Sequence, residues 1–283
     1  MRSRGGLFSR SSRRVDLSSQ IRYGCAMSTW INNGRTIGFS SEGSGVPILA
    51  FHGTTQASNA WAQVQQACST SLQWVTFEFP GSGESEMPIG PIDLDVVVAD
   101  AVALMNHLGH QQFHVIGYSL GAVAALQCAA NFSDSVMTVT SLCGWSQTDA
   151  RMKVTFDLWR RLIAIDRELF MRYALADGYT AAGLEVLEPM IEAVVGMAAA
   201  AVQPGSDAQL ELDIRIDIEK SLGRITAPCL VIGGIEDRWV DISKSRHIAA
   251  IVPGATLLEL PAGHLVIGEL PAEIASALST HVA

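Results

Sequence analysis

From residue 35 onward, apolar and polar positions fall into two alternating rhythms. Short runs dense in Val, Ile, Leu and Phe are bounded by Gly, Pro or Ser, as strands buried on both faces require. They predict strands over residues 35–40, 46–51, 72–79, 113–116, 135–142, 229–233 and 255–260. Between them, residues 60–68, 93–108 and 122–130 repeat their apolar positions at helical spacing. Glu42-Gly43-Ser44-Gly45 and Pro80-Gly81-Ser82-Gly83 punctuate the pattern as turns. Strands that alternate with helices imply a mostly parallel sheet with right-handed crossovers.

One interval departs from the alternation. Between residues 144 and 221, helical periodicity continues without a strand, and residues 151–165, 167–176, 180–200 and 208–217 predict four helices. An insertion there, after the sixth strand, would lie over the C-terminal edge of the sheet. The expected organisation is therefore a core over residues 27–144 and 222–283, with a helical cap over residues 145–221.

Composition narrows the function classes. The chain has 283 residues, 48% of them hydrophobic, enough for one large core. No apolar run reaches the roughly 20 residues of a spanning helix. The net charge of −9 argues against nucleic acid as a partner, so neither nucleic acid nor membrane is expected. The cysteines at 25, 68, 128, 143 and 229 are odd in number and lack metal-ligand spacing. They read as reduced thiols in a cytoplasmic protein, with no metal and no cofactor. Residues 1–26 stand apart, with six Arg and one Asp. Ser12-Arg13-Arg14-Val15-Asp16-Leu17 resembles an export signal but lacks a following apolar segment. An organelle transit peptide is an alternative, and the preferred reading is a disordered tail or a start at Met27.

The most informative stretch is Gly117-Tyr118-Ser119-Leu120-Gly121, directly after the strand over 113–116 and before the helix over 122–130. A serine between glycines at a strand-to-helix turn is a nucleophile elbow: the backbone is strained, and side chains at the flanking positions would meet the neighbouring strand and helix. The first free N–H groups of the following helix, beginning at Leu120, are available to an anion beside Ser119 Oγ. A serine hydroxyl requires a base within hydrogen-bond reach to attack at neutral pH.

In this order and spacing, His52-Gly53, Pro80-Gly81-Ser82-Gly83, the elbow, Gly234-Ile235-Glu236-Asp237 and Gly263-His264 resemble the α/β-hydrolase superfamily, specifically its capped members. The similarity covers residues 35–283. It implies an eight-stranded-type, mostly parallel sheet flanked by helices, and a catalytic triad in the order Ser119, Asp237, His264, with Glu236 and Asp241 as alternative acids. It also implies an oxyanion hole from the N–H groups of Leu120 and Thr54, with His52 supporting that loop. The other histidines, 107, 110, 114, 247 and 281, read as surface or helix-end residues.

Ser119 in place of a carboxylate or cysteine favours acyl chemistry. The expected function is a serine hydrolase of an ester, thioester, lactone or amide of a moderately apolar small molecule, free or carrier- or peptide-bound. Alternatives are a biosynthetic tailoring enzyme of secondary metabolism, using the site for ring opening, cyclisation or C–C cleavage, and a non-catalytic receptor on the same fold. Thr55, Tyr118, Trp145, Trp159 and Met171 are the expected substrate-binding residues. Arg151, Arg160, Arg161, Arg167 and Arg172 are candidates for an anionic substrate group.

Overall fold

The computed structural model describes residues 27–283. The extension expected over residues 1–26, Cys25 included, lies outside them. Eight strands form one sheet: β1 (Met27–Asn32), β2 (Arg35–Gly43), β3 (Val46–Phe51), β4 (Leu72–Phe77), β5 (Phe113–Tyr118), β6 (Val136–Leu142), β7 (Cys229–Gly234) and β8 (Thr256–Leu260), in the spatial order β1-β2-β4-β3-β5-β6-β7-β8. β2 runs antiparallel to both its neighbours, and β4 through β8 are mutually parallel with β3 among them. The pattern of apolar runs starts the sheet at residue 35 and so omits β1. Asn33 and Gly34, both at positive φ (50° and 79°), close the β1–β2 hairpin as a two-residue turn. Asn-Gly favours such a turn because both central residues must adopt left-handed geometry.

Alternation along β3 shows how the sheet is covered. Leu49 and Phe51 face a core shared with α2 (Leu94–His107), α3 (Leu120–Asn131) and α10 (Ile242–Ile251). Ile48 and Ala50 face the second core, with α1 (Ala62–Ala67), α11 (Val266–Glu269) and α12 (Pro271–His281). Both faces are apolar, so the strands read as continuous hydrophobic runs. α3 is buried along almost its whole length, in keeping with its Ala-rich, uncharged sequence.

Between β6 and β7 lie α4 (Ala150–Ile165), α5 (Arg167–Gly178), α6 (Ala181–Leu187), α7 (Ile191–Ala201), α8 (Ser206–Arg215) and the short α9 (Glu219–Leu222). The single helix expected over residues 180–200 is broken into α6 and α7 by a 3-10 turn, Glu188–Met190. Pro189 explains the break, since it cannot donate to the preceding turn and its ring opposes a continuous α-helix.

Candidate active site

β5 delivers Ser119 to the mouth of the sheet. Its backbone lies at φ 57°, ψ −120°, outside the regions open to most residues. Its N–H donates to Leu142 O at 2.9 Å, and its own C=O accepts from Ala122 and Val123. The two glycines of the motif have distinct steric reasons: a Cβ on Gly117 would overlap Gly121 O, and one on Gly121 would overlap Phe51 O.

His264, in the loop after β8, points Nε2 at Ser119 Oγ (3.0 Å) and Nδ1 at Asp237 Oδ2 (2.7 Å). Asp237, after β7, accepts the N–H groups of Trp239 (2.9 Å) and Val240 (2.8 Å) on Oδ1. Each carboxylate oxygen thus has a separate task. All three side chains are buried, so their mutual attraction is little screened by water. The Tyr118 hydroxyl donates to His264 O at 3.0 Å, and burial pushes its phenol well above the ordinary value, leaving it neutral. Glu269 accepts the Gly263 N–H at 2.9 Å, pinning the residue before His264. The alternative acids face elsewhere: Asp241 caps α10 through the Ser243 N–H, and Glu236 is exposed.

Cys143 closes β6 at φ 52° with its thiol against Asp237. Burial, then the Asp237 charge, holds that thiol well above its ordinary pKa, so it remains S–H. Its sulfur, a carboxylate oxygen of Asp237 and a ring nitrogen of His264 lie within 4.8 Å of one another. A cation taking Asp237 Oδ2 and His264 Nδ1 there would have to replace the hydrogen bond between them.

The loop after β3 forms the opposite wall. His52 Nδ1 lies 2.8 Å from Gly53 O, and its Nε2 lies 3.2 Å from the Phe79 N and 3.3 Å from Glu78 Oε2, so the buried ring braces the loop against the segment that follows β4. Thr55 holds φ 69°, strained for a β-branched residue. The Thr54 hydroxyl donates to Asp213 Oδ2 at 2.7 Å, and the Thr55 N–H donates to Gln209 Oε1 at 3.1 Å. Among the described residues, the N–H groups of Thr54 and Leu120 have no acceptor. Asp213 is fully buried, with no cationic partner among the described residues, and burial pushes its carboxyl up to about 8, opposed by the Thr54 hydroxyl.

A cavity of about 230 Å³ opens above Ser119. Thr55, Tyr118, Trp159 and Met171 line it, with Trp239, Phe170, Gln56 and Asn59 completing the wall. Trp145 does not line it: fully buried, it packs on Phe156 and donates its Nε1 to Thr148 Oγ1 at 2.8 Å. Among the described residues, no Asp, Glu, Lys or Arg lines it either. The arginines expected to face a substrate turn outward: Arg160 binds Asp207 and Glu211, Arg161 binds Asp157, and Arg172 binds Glu192. Arg167 and Arg151 donate to the backbone oxygens of Val202 and Arg238. His114 also differs from its expected place, because β5 is covered on both faces. It is buried, with Nδ1 at 2.9 Å from Thr138 Oγ1.

Trp239, Gln209, Asp213 and Cys143 were not singled out by the sequence patterns. Trp239, two residues after Asp237, carried a positional signal. Asp213 is indistinguishable by pattern from the exposed Asp207 on the same helix.

A central parallel sheet, a buried serine on a strained strand-to-helix turn and a histidine–aspartate pair delivered from the last two strand ends define an α/β protein built around one buried polar chain. The chain belongs to the alpha/beta hydrolase fold family, whose model it matches over residues 46–271. It is similar to pyrrolizixenacetamide deacetylase of Xenorhabdus hominickii, 28% identical over 241 residues that cover 84% of this chain and 91% of the relative. Among solved structures, it resembles a hydrolase from Pseudomonas aeruginosa PA01, with a TM-score of 0.80, 23% identity and coverage of 92% of this chain and 99% of that one. The enol-lactonase from Burkholderia xenovorans LB400 is likewise similar, with a TM-score of 0.81, 19% identity and coverage of 90% and 99%. Among the described residues, no helix is long and apolar enough to cross a membrane.

Proposed function

We propose that this chain is a serine hydrolase that cleaves an ester or amide bond carrying a small, uncharged acyl group. The observation that carries the reading is the continuous hydrogen-bonded chain from Ser119 Oγ through His264 to Asp237. In this mechanism His264 Nε2 takes the serine proton as Oγ attacks the acyl carbon. Asp237 fixes the tautomer by holding the proton on Nδ1, and it stabilises the imidazolium once formed. The tetrahedral oxyanion accepts from the Leu120 and Thr54 N–H groups, each worth roughly 3 kcal/mol of barrier. The imidazolium then protonates the leaving alkoxide or amine, and water repeats the sequence to release the acid.

Helices α4 to α8 serve as a cap, whose Phe170, Met171 and Trp159 enclose the acyl side. At about 230 Å³ the cavity lies under the roughly 300–1,000 Å³ of sites for drug-sized ligands, which favours a short acyl group over a long chain. The uncharged lining favours neutral substrates, and the similarity to a deacetylase supports an acetyl-sized group on nitrogen. The test is labelling of purified protein by a fluorophosphonate probe, alongside turnover of p-nitrophenyl acetate and an N-acetyl anilide. Wild type should label and Ser119→Ala should not. Equal labelling of both, or none of either, would sink the reading.

A further inference from the structure

We infer that helix α8 acts on the oxyanion side of the site: Asp213 and Gln209 are positioning residues that hold the Thr54–Thr55 loop, so that the Thr54 N–H faces the developing oxyanion. The inference rests on the serine-hydrolase reading of Ser119 and adds to it a part of the inserted helices that does not touch the substrate.

Residues 53–55 leave β3 without strand pairing, and Thr55 sits at φ 69°. A non-glycine residue in that region costs on the order of 1–3 kcal/mol and persists only where its surroundings impose it. Gly53 is held locally by His52 and Gln56, whereas the hydrogen bonds to Thr54 and Thr55 come from one distant segment. Gln209 and Asp213 stand four residues apart on α8, one turn above another on the same face, and both are fully buried. They bind successive loop residues, Asp213 through the Thr54 hydroxyl and Gln209 through the Thr55 N–H. A third bond, from Gln203 N–H to Thr55 O at 3.3 Å, ties the same loop just before α8 begins.

The side chains of α8 are themselves fixed. Gln209 donates its amide hydrogens to Ser82 Oγ (2.8 Å) and Pro80 O (3.3 Å), so its oxygen must face Thr55. The Asp213 carbonyl accepts from Thr148 Oγ1, which in turn accepts from Trp145 Nε1. Burying two polar side chains is costly unless their bonds are made, and among the described residues Asp213 Oδ1 has no partner. Simple packing of α8 against α4 and the loop would be better met by apolar residues. The expense has a use if the loop must be held to a fraction of an ångström, because a displacement of about 1 Å at a reacting centre can cost about 10²-fold in rate.

The experiment measures phosphonylation of Ser119 by the fluorophosphonate probe, a reaction that builds charge on an oxygen in the same hole and needs no knowledge of the substrate. Inactivation rate constants and probe affinities are compared for wild type, Thr54→Val, Asp213→Ala, the double variant and Asp213→Asn, with folding checked by circular dichroism. Thr54→Val and Asp213→Ala should each slow inactivation about 10- to 100-fold while probe affinity changes less than about threefold. The double variant should be no slower than the slower single, since both remove one bond. Asp213→Asn, whose amide carbonyl can still accept the hydroxyl, should recover about tenfold of the Asp213→Ala loss.

Folded single variants that label as fast as wild type overturn the inference, and so do losses that multiply in the double variant. In both cases labelling of wild type leaves the serine-hydrolase reading standing. If wild type itself is not labelled, that reading falls and takes this one with it.

Discussion

Substituting Asp237 by Asn tests the division of labour between its two oxygens. Oδ1 accepts two backbone N–H groups, and Oδ2 accepts His264 Nδ1–H. An asparagine that keeps its oxygen toward Trp239 and Val240 places its NH2 against His264 Nδ1. The imidazole must then accept at Nδ1 and carry its proton on Nε2, so Nε2 can no longer take the serine proton. Flipping the amide would restore the tautomer, but it would leave two buried N–H groups facing a donor. At about 1–3 kcal/mol for each unsatisfied group, that route costs about 2–6 kcal/mol, equivalent to roughly 30- to 10⁴-fold in rate. The same exchange in a serine protease costs about 10⁴-fold, at the upper end of this range. The expected result is a loss of about 10³- to 10⁴-fold in kcat for p-nitrophenyl acetate, with KM changed less than about threefold. The shape and backbone bonds of Asn match those of Asp, so the thermal midpoint should move by only a few degrees. A loss below tenfold, in a protein that still depends on Ser119, would refute the tautomer argument.

Gly121→Ala should destabilise the fold by about 3 kcal/mol or more, since its Cβ meets Phe51 O and the His52 backbone; urea unfolding at the wild-type level would contradict the packing given for the elbow. The Asp213 carboxyl, raised to about 8 by burial, holds a proton in the folded chain that the unfolded chain has lost above about pH 4. Stability should therefore fall as pH rises from 5 to 8, by up to about 1.4 kcal/mol per pH unit from this group, and level off above 8. Asp213→Asn should remove that slope, and a constant wild-type-minus-variant difference across the range would rule it out. Met171→Ala enlarges the cavity that Ser119 lines and should raise kcat/KM for hexanoyl relative to acetyl esters about tenfold, since one accommodated methylene is worth about 1–3 kcal/mol; unchanged chain-length preference would place the acyl group elsewhere.

The parts of the molecule that were legible in sequence are those specified by short segments. The buried strands announced themselves as apolar runs because the sheet is covered on both faces, and the elbow did so because two close backbone approaches demand Gly117 and Gly121. Asp237 and His264 could be placed because each comes a few residues after a strand, where the resemblance to the α/β-hydrolases implies the acid and the base. What was hidden depends on partners distant in the chain. Asp213 lies 159 residues from Thr54, and nothing local separates it from a solvated aspartate. Trp145 looked like a pocket residue because it follows β6, yet its indole turns toward Thr148 and Phe156. The outward turn of the arginines likewise depends on acidic partners on neighbouring helices, such as Asp207 for Arg160 and Glu192 for Arg172.

The indoles of Trp159 and Trp239 meet edge to face, with centroids 4.4 Å apart, and Trp239 also packs on the His264 ring at 4.9 Å. Two chromophores at that separation and angle exchange excitation, so the cavity wall is an optical instrument as well as a boundary. The other close indole pair, Trp61 with Trp74, is buried behind the sheet and contributes a constant background. A ligand that spreads or tilts the cavity pair alters the near-ultraviolet dichroism and emission of the unlabelled protein. In a Ser119→Ala protein, which on the proposed serine-hydrolase mechanism would hold acyl compounds without consuming them, that signal turns a search for the physiological substrate into a titration.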